Sequence, residues 1–451
     1  MNESRPTSAG GATIGRRSLL RGVAAIAAGT AAGGVLLSRG STADAVVAPR
    51  AAVPALVPAK APEQVLHLAA TDGWVSMPSG APPIGGFWPD PLAPAPYNVY
   101  CFGFRNVTSL SPDTLTSAVM AIKNQAQISA PILSFAQWNE KTASGESNAV
   151  RITLSNLGLA QRPDLVDGHT IHWHGFQNAI PLFDGVPELS LSVPIGRSFT
   201  YYYRPRDPGT YMYHCHFEDV EHVQMGMTGV VFVRPTRNVE ATATALRQYF
   251  AYDDASTYYD REFAFMLTEL WAEGHFRDAH IQTTDWTDYK PSFWLMNGRA
   301  YPDTLEPNKN PLTAVGDRLR YNPISSVVSC VAGDKVLLRL ANLGYQHHAM
   351  TLDGIPMRVV AKDASALVGS SVDLTYETNT VEVGPGESRD VILTAPANAD
   401  ATAPRVFRLY DRNYAYLANS SGNGYGGQIT EVRVYNASDP HRPAPQTTPN
   451  T

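Results

Sequence analysis

The stretch Val150-Arg-Ile-Thr-Leu-Ser-Asn-Leu-Gly158 occurs a second time, with substitutions, as Val336-Leu-Leu-Arg-Leu-Ala-Asn-Leu-Gly344. Each copy is followed by a histidine-bearing segment, His169 to Gly175 in the first and His348 to Gly354 in the second. Both copies continue with similar short runs of strand-forming residues. The chain therefore contains an internal duplication.

Short apolar runs separated by turn residues extend through the 451-residue chain, which has 35 Gly and 34 Pro. This pattern is typical of all-β proteins. We therefore predict two tandem β-sandwich domains, at residues 62–235 and 263–437. The connector at 236–262 can carry a short helix, and the Pro- and Thr-rich tail at 438–451 is expected to be disordered.

The first copy carries a dense group of side chains that can bind metal. Tyr213-His-Cys-His216 is followed by His222 and Met227, and His169-Thr-Ile-His-Trp-His174 lies upstream. A thiolate, imidazoles and a weak thioether are the ligands of type 1 (blue) copper. The sequence therefore predicts a copper site at Cys215.

Strand geometry sorts these side chains into two groups, because alternate residues along a strand face opposite sides. His169 and Cys215 share one face. The other face receives four histidines, which are His172, His174, His214 and His216. Two metal sites result, and the backbone joins Cys215 directly to a histidine on either side.

The second copy lacks most of these ligands. Thr351 and Asp353 stand where the first copy has its His-x-His pair, and Tyr410-Asp-Arg412 replaces His-Cys-His. His348 is the ligand that remains, at the position of His169. The second domain cannot build a type 1 site because it has no thiolate.

The N-terminal segment has the features of an export signal. Arg16-Arg17 precedes a Gly- and Ala-rich apolar stretch that ends at Leu37, and Ala43-Asp-Ala45 has the small-x-small pattern of a cleavage site. We predict a twin-arginine signal peptide at residues 1–45. The mature protein is then extracellular, at the cell surface or periplasmic.

Composition excludes several classes of partner. The net charge of −6 gives no basic surface for nucleic acid, and no other apolar run is long enough to span a bilayer. The chain has three cysteines. Cys101 and Cys330 could pair in an oxidising compartment or stay as free buried thiols, and the sequence does not decide between them.

These motifs resemble the multicopper oxidases, a family of repeated cupredoxin domains that includes the laccases. The resemblance implies two cupredoxin-like Greek-key sandwiches. It implies that His169, Cys215, His222 and Met227 bind type 1 copper, with Met227 as the axial ligand. It also implies a type 2/type 3 copper centre, whose ligands would be His172, His174, His214 and His216.

The chain departs from the family pattern in two respects. The segment between Cys215 and His222 is two residues longer and acidic, so it is either a solvated loop or an attractor of a cationic donor, through Glu218, Asp219 or Glu221. The further His-x-His pairs of a trinuclear centre are missing. A homotrimer could complete the site with a neighbour's His347, His348 or Asp353.

The leading prediction is a laccase-like copper oxidoreductase. It would take single electrons from a phenolic or other aromatic donor, or from a metal ion, and pass them to dioxygen. One alternative is a non-catalytic blue-copper electron carrier or copper-binding protein. Another is an enzyme like the copper nitrite reductases, in which His174 and His214 would match two ligands of the type 2 copper.

Overall fold

The computed structural model describes residues 64–138, 149–177, 179–238, 248–420 and 424–451. The predicted signal peptide at 1–45 lies outside the described residues. None of the helices in the described ranges has the length and apolar character needed to cross a bilayer.

The strands of the first domain begin at Gln64. In chain order they are β1 (Gln64–Val75), β2 (Val99–Asn106), β3 (Leu133–Ala136), β4 (Val150–Asn156), β5 (His172–His174), β6 (Ser198–Tyr203), β7 (Gly209–His214) and β8 (Thr228–Arg234). Three short helices lie between them, α1 (Ser117–Met120), α2 (Pro181–Asp184) and α3 (Asp219–Gln224). The last of these occupies the acidic insertion.

The connector and the second domain are also built mainly from strands. They contain β9 (Tyr249–Phe250), β10 (Tyr258–Tyr259), β11 (Arg261–Leu270), β12 (Phe293–Met296), β13 (Val328–Val331), β14 (Lys335–Asn342), β15 (His348–Leu352), β16 (Met357–Lys362), β17 (Ser365–Ala366), β18 (Tyr376–Thr378), β19 (Thr380–Val383), β20 (Ser388–Thr394), β21 (Arg405–Asp411) and β22 (Ile429–Tyr435). Helix α4 spans Ala272–Ala279, and single 3₁₀ turns lie at Ala255–Thr257, Trp286–Asp288, Asp303–Leu305 and Tyr414–Tyr416.

The two domains repeat one topology. In the first domain the sheets run β2-β1-β4-β6 and β3-β8-β7-β5. The second domain has β12-β11-β14-β20 in one sheet, extended by β16 and β17, and β13-β22-β21-β15 in the other, extended by β19. The parallel pairing of β1 with β4 recurs as β11 with β14, and that of β3 with β8 recurs as β13 with β22. The predicted all-β fold with two sandwiches is confirmed.

Each sandwich closes over its own apolar core, as strand alternation requires. In β4 the alternate residues Val150, Ile152 and Leu154 are fully buried in the first core. The equivalent residues of β14, Val336, Leu338 and Leu340, are fully buried in the second core. The repeated sequence therefore forms an interior strand of one sheet in each domain, which is β4 in the first and β14 in the second.

A buried polar network joins the two domains. The hydroxyl of Thr210 in β7 donates to Asp390 in β20 at 2.6 Å and accepts from Arg339 in β14 at 2.9 Å. Arg339 also lies 3.3 Å from Glu262, which pairs with Arg234 at the end of β8. Because every charge in this network has an opposite partner, the interface can bury them. Strand β7, which ends at His214, is thereby fixed against the second domain.

The C-terminal tail differs from the disorder expected from its composition. Strand β12 pairs only with Leu267–Leu270 of β11, which leaves the first half of β11 with an open edge. The side-chain amides of Gln446 and Asn450 close that edge by accepting from the N–H groups of Glu262 and Ala264, at 2.7 and 2.8 Å. Two amide side chains thus replace a strand neighbour.

The predicted connector and the two cysteines outside the first cluster can be compared with the structure. Strand β11 begins at Arg261, inside the predicted connector, and the described part of the connector carries a 3₁₀ turn at Ala255–Thr257. Residues 239–247 of the connector lie outside the described residues. Cys101 and Cys330 are both buried and free. The structure therefore favours free thiols over the disulfide that the sequence left open.

Candidate metal centres

The first cluster consists of His169, Cys215 and His222, whose ligand atoms all lie within 4.8 Å of one another. His169 is held by a two-way backbone bridge to Val193, Cys215 follows β7, and His222 lies in α3. The thiol sulfur is 3.8 Å from Nδ1 of His169 and 3.2 Å from Nδ1 of His222. The structure therefore brings together the three residues predicted to be strong type 1 ligands.

The protein favours a thiolate at Cys215. Burial alone would raise the pKa of this thiol, but the charge of His222 and hydrogen bonds from His169 and His222 hold it well below its ordinary value. The backbone N–H of Thr170 also points at the sulfur, at 3.4 Å. Because the thiolate is the form that binds metal, the site is prepared for a soft metal ion.

Met227, the predicted axial ligand, is connected to the first cluster through its backbone. It is fully buried and belongs to the same apolar cluster as Cys215. Its N–H donates to the carbonyl of His222 at 3.0 Å, and its carbonyl accepts from the N–H of Cys215 at 3.2 Å. The backbone of Met227 is thus tied to two of the other ligands, and this donor set fits type 1 copper.

The second cluster is built from β5 and from the end of β7. His172 stands directly opposite His214 in the β5–β7 pair, and the ligand atoms of His172, His174 and His214 lie within 4.8 Å of one another. The ring of His216 is centred 5.0 Å from that of His172 and 5.5 Å from that of His214. All four predicted imidazoles therefore converge.

Neighbouring carbonyls orient these rings. Nδ1 of His172 lies 2.8 Å from the carbonyl of Asp184, and Nδ1 of His214 lies 2.8 Å from that of Cys215. Each ring then presents Nε2 to the cluster, as in metal sites where the second nitrogen is hydrogen-bonded. Burial lowers the pKa of His172 and His174 and that of His214 to about 3. The rings are therefore neutral and able to bind metal.

The acidic insertion lies beside the first cluster. Glu218 and Asp219 are exposed, while Asp167 and Glu218 each place a carboxylate oxygen near His222. Nε2 of His222, the nitrogen that faces away from Cys215, is 3.7 Å from Asp167. Sequence reasoning did not single out Asp167, although it stands two residues before the ligand His169. The carboxylates of Asp167 and Glu218 therefore lie beside His222, a member of the first cluster.

The position of His348 excludes one of the proposed completions of the histidine cluster. Its Nδ1 lies 2.8 Å from Asp411 and its Nε2 2.8 Å from Glu269, and all three residues are buried. Since both nitrogens already have partners in the core, His348 cannot serve a neighbouring subunit. Asp353 accepts from the hydroxyl of Tyr410 at 3.2 Å on the surface.

Glu269 is a second residue that the sequence analysis missed. It occupies in β11 the place that Asp72 has in β1, because Leu267 pairs with Asn342 as Ala70 pairs with Asn156. Aligning the first strands of the two repeats would have found it. Asp72 accepts from Tyr100 and from two backbone N–H groups. The longer Glu269 reaches the histidine of its own domain instead.

Comparisons with known proteins agree with this geometry. Multicopper oxidase models match residues 149–238 and 261–438, together more than half of the chain. Laccase-2 of Botryotinia fuckeliana is 28% identical over 239 residues, which are 52% of this chain and 35% of that protein. The chain spans less than half the length of the first curated relatives that it matches.

Solved structures show the same architecture. A blue copper oxidase from Nitrosomonas europaea aligns with a TM-score of 0.53 and 20% identity, over 82% of this chain and 85% of that chain. A copper nitrite reductase from the same organism aligns with a TM-score of 0.50 and 16% identity, over 84% and 96%. At these identities the likeness concerns the fold, and it confirms the cupredoxin-like sandwiches.

Proposed function

Because the chain belongs to the multicopper oxidase family, we propose that it is a laccase-like oxidoreductase that transfers single electrons from a small donor to dioxygen. The observation that carries the proposal is the pair of clusters joined by His214-Cys215-His216. Copper bound in the two clusters would supply the one-electron chemistry, and four electrons with four protons convert dioxygen to two molecules of water.

The protein itself provides a short connection between the clusters. Cys215 belongs to the first cluster, and its sequence neighbours His214 and His216 belong to the second. A hydrogen bond to a side chain holds this segment, since the N–H of His216 donates to the hydroxyl of Thr170 at 2.9 Å. The two clusters therefore keep a fixed covalent separation.

The donor would approach the outer edge of the first cluster. Nε2 of His222 points toward Asp167, and Glu218 and Asp219 add negative charge there. A carboxylate beside an imidazole can accept a proton from a phenol or attract a metal cation. We propose phenolic or other aromatic compounds, or metal ions, as the donors.

The test compares matched cysteine variants. Cys215→Ser should lose the intense blue absorption and oxygen uptake with a phenolic donor, while keeping copper at the histidine cluster. Cys330→Ser, which removes a buried thiol of the second domain, should keep all three. A blue band that survives in Cys215→Ser would refute the assignment of the thiolate.

The histidine cluster is tested separately. His172→Ala should keep the blue band and stop oxygen uptake, because it removes one imidazole of the second cluster alone. The control is His67→Gln, which alters a buried histidine bonded to Ser111 and Ser155 far along the sequence from both clusters. Full oxygen uptake in His172→Ala would exclude the second cluster as the site of oxygen reduction.

A blue-copper electron carrier is the second candidate. The observation in its favour is that the second domain has Thr351 and Asp353 at the positions of His172 and His174. The complete set of four imidazoles in the first domain is the observation against it. A carrier would exchange electrons with a redox partner and show the blue band without oxygen uptake. Steady-state oxygen consumption therefore separates the two functions.

We also propose that the protein is exported and that it forms a homotrimer. The Arg16-Arg17 segment and the Ala43-Asp-Ala45 site favour the twin-arginine route to an extracellular or periplasmic location. Replacing both arginines with lysine should retain the precursor inside the cell.

A homotrimer would set the partly exposed His216 of one subunit near the second domain of a neighbour. Sedimentation of the copper-loaded protein tests whether the homotrimer forms.

A further inference from the structure

The second domain holds the loop that carries His222. The hydroxyl of Tyr345 donates to the carbonyl of Val220 in α3. The side chain of Gln224, at the end of α3, donates to the carbonyl of Glu269 at 2.9 Å. In addition, Nε2 of His275 lies 3.1 Å from the carbonyl of Gln224. Three contacts from one domain therefore converge on a six-residue helix of the other.

Helix α3 depends on such contacts for its position. It spans Asp219–Gln224, and a helix this short is not stable by itself. Its N-cap residue, Glu218, has a left-handed backbone (φ 45°) and makes no capping hydrogen bond with its side chain. The place of His222 within the helix is consequently fixed by packing rather than by helix propensity.

Tyr345 is itself firmly anchored. Its N–H donates to Glu269 at 2.7 Å, and the same carboxylate oxygen accepts from the hydroxyl of Tyr289 at 3.0 Å. The other oxygen of Glu269 binds His348, which Asp411 holds from its far side. A side chain at Gly344 would put its Cβ 2.4 Å from this carboxylate, so the anchor requires glycine there.

We propose that Tyr345 is a positioning residue for the type 1 copper site, and that the former ligand site of the second domain now serves as its anchor. The contacts run from Asp411 through His348 and Glu269 to Tyr345, and from its hydroxyl to the helix that carries His222. This inference rests on the proposed function, since it takes His222 as a copper ligand. Tyr345 acts through His222 and touches no ligand atom in the described contacts.

A matched pair of tyrosine variants tests the proposal in the copper-loaded protein. Tyr345→Phe removes the hydroxyl that holds α3, whereas Tyr289→Phe removes a hydroxyl that bonds the same carboxylate without contacting α3. We expect Tyr345→Phe to change the copper hyperfine splitting in the EPR spectrum and the reduction potential of the blue site. Tyr289→Phe should leave both at the wild-type values.

A second measurement uses hydrogen exchange in the copper-free protein. The amides of Met225 and Gly226, which donate to carbonyls of α3, should exchange about fivefold faster in Tyr345→Phe than in Tyr289→Phe, the effect of losing one hydrogen bond. The proposal would be overturned if both variants kept the wild-type EPR spectrum and the same exchange rates. It would also be overturned if both variants shifted the spectrum and the exchange rates by the same amount. Absence of a blue band in the wild type would instead refute the proposed function, while the exchange comparison would still decide whether Tyr345 holds α3.

Discussion

At the scale of single residues, the proposed copper site gives Cys215 and Met227 unequal roles. Cys215 would be the charged ligand, since the charge of His222 and hydrogen bonds from His169 and His222 favour its thiolate. Met227 offers a thioether, a weak axial ligand in type 1 copper sites. The thiolate should therefore decide whether the blue site exists, and the thioether should adjust its potential.

Replacing the axial ligand tests this division. Met227→Leu keeps the volume of the buried side chain and removes the sulfur, so the blue absorption should remain and the reduction potential should rise. Redox titration of the blue band measures the change. Met225→Leu is the control, because Met225 is equally buried in the same cluster; an equal rise in both variants would argue against an axial role for Met227.

At the scale of elements, one strand pair has two different uses in the duplicated fold. In the first domain β5 and β7 pair with His172 opposite His214. In the second domain β15 and β21 pair with Thr351 opposite Tyr410 in the equivalent register. His348 and Asp411 then lie 2.8 Å apart, where the first domain has His169 and Cys215. An ion pair therefore stands in the second domain where the first domain has two of the predicted copper ligands.

This ion pair makes stability depend on pH. Burial disfavours a charged His348, but hydrogen bonds to Asp411 and Glu269 raise its pKa above the ordinary 6.5. The contribution of the protonated ring is complete below pH 6.5 and is lost as the pH rises through the elevated pKa. In the copper-free protein at acidic pH, the free energy of unfolding of the wild type should exceed that of His348→Gln by about 2 kcal/mol.

Chemical denaturation at a series of pH values measures this difference. The advantage of the wild type should shrink as the pH is raised above 6.5. The groups that face His348 are Asp411 from β21, Glu269 from β11 and the ring of Tyr416. A difference that is constant with pH would contradict this, because it would mean that the protonation of His348 does not contribute to the pH dependence of stability in this range.

At the scale of the whole molecule, the tail completes the second domain. Gln446 and Asn450 each accept from one N–H of β11 and donate to one of its carbonyls. Asn450→Ala should therefore lower the free energy of unfolding by about 1–3 kcal/mol, since it leaves the buried N–H of Ala264 without its partner. Thr448→Ala, at an exposed position between them, should change it by less than about 0.5 kcal/mol. Equal stability of the two variants would show that the tail is not bound in solution.

The duplication, the two sandwiches and the grouping of the histidines could all be predicted from the sequence. Strand alternation alone placed His172 with His214 and His169 with Cys215, because the backbone sets that period. The contact of Tyr345 with Val220 joins residues 125 positions apart. Such contacts depend on how two domains pack, which no local pattern contains. The tail was mispredicted for the same reason, since its composition does not show the open edge of β11.

Copper per chain, measured by elemental analysis together with EPR on the wild type and Cys215→Ser, decides whether the two clusters are two copper sites. We expect at least two coppers per wild-type chain, one of them blue with a narrow hyperfine splitting. Cys215→Ser should then lose the blue signal and one copper and keep the rest. A wild type with a single copper, and a Cys215→Ser variant with none, would contradict the claim that the four histidines form a second copper site.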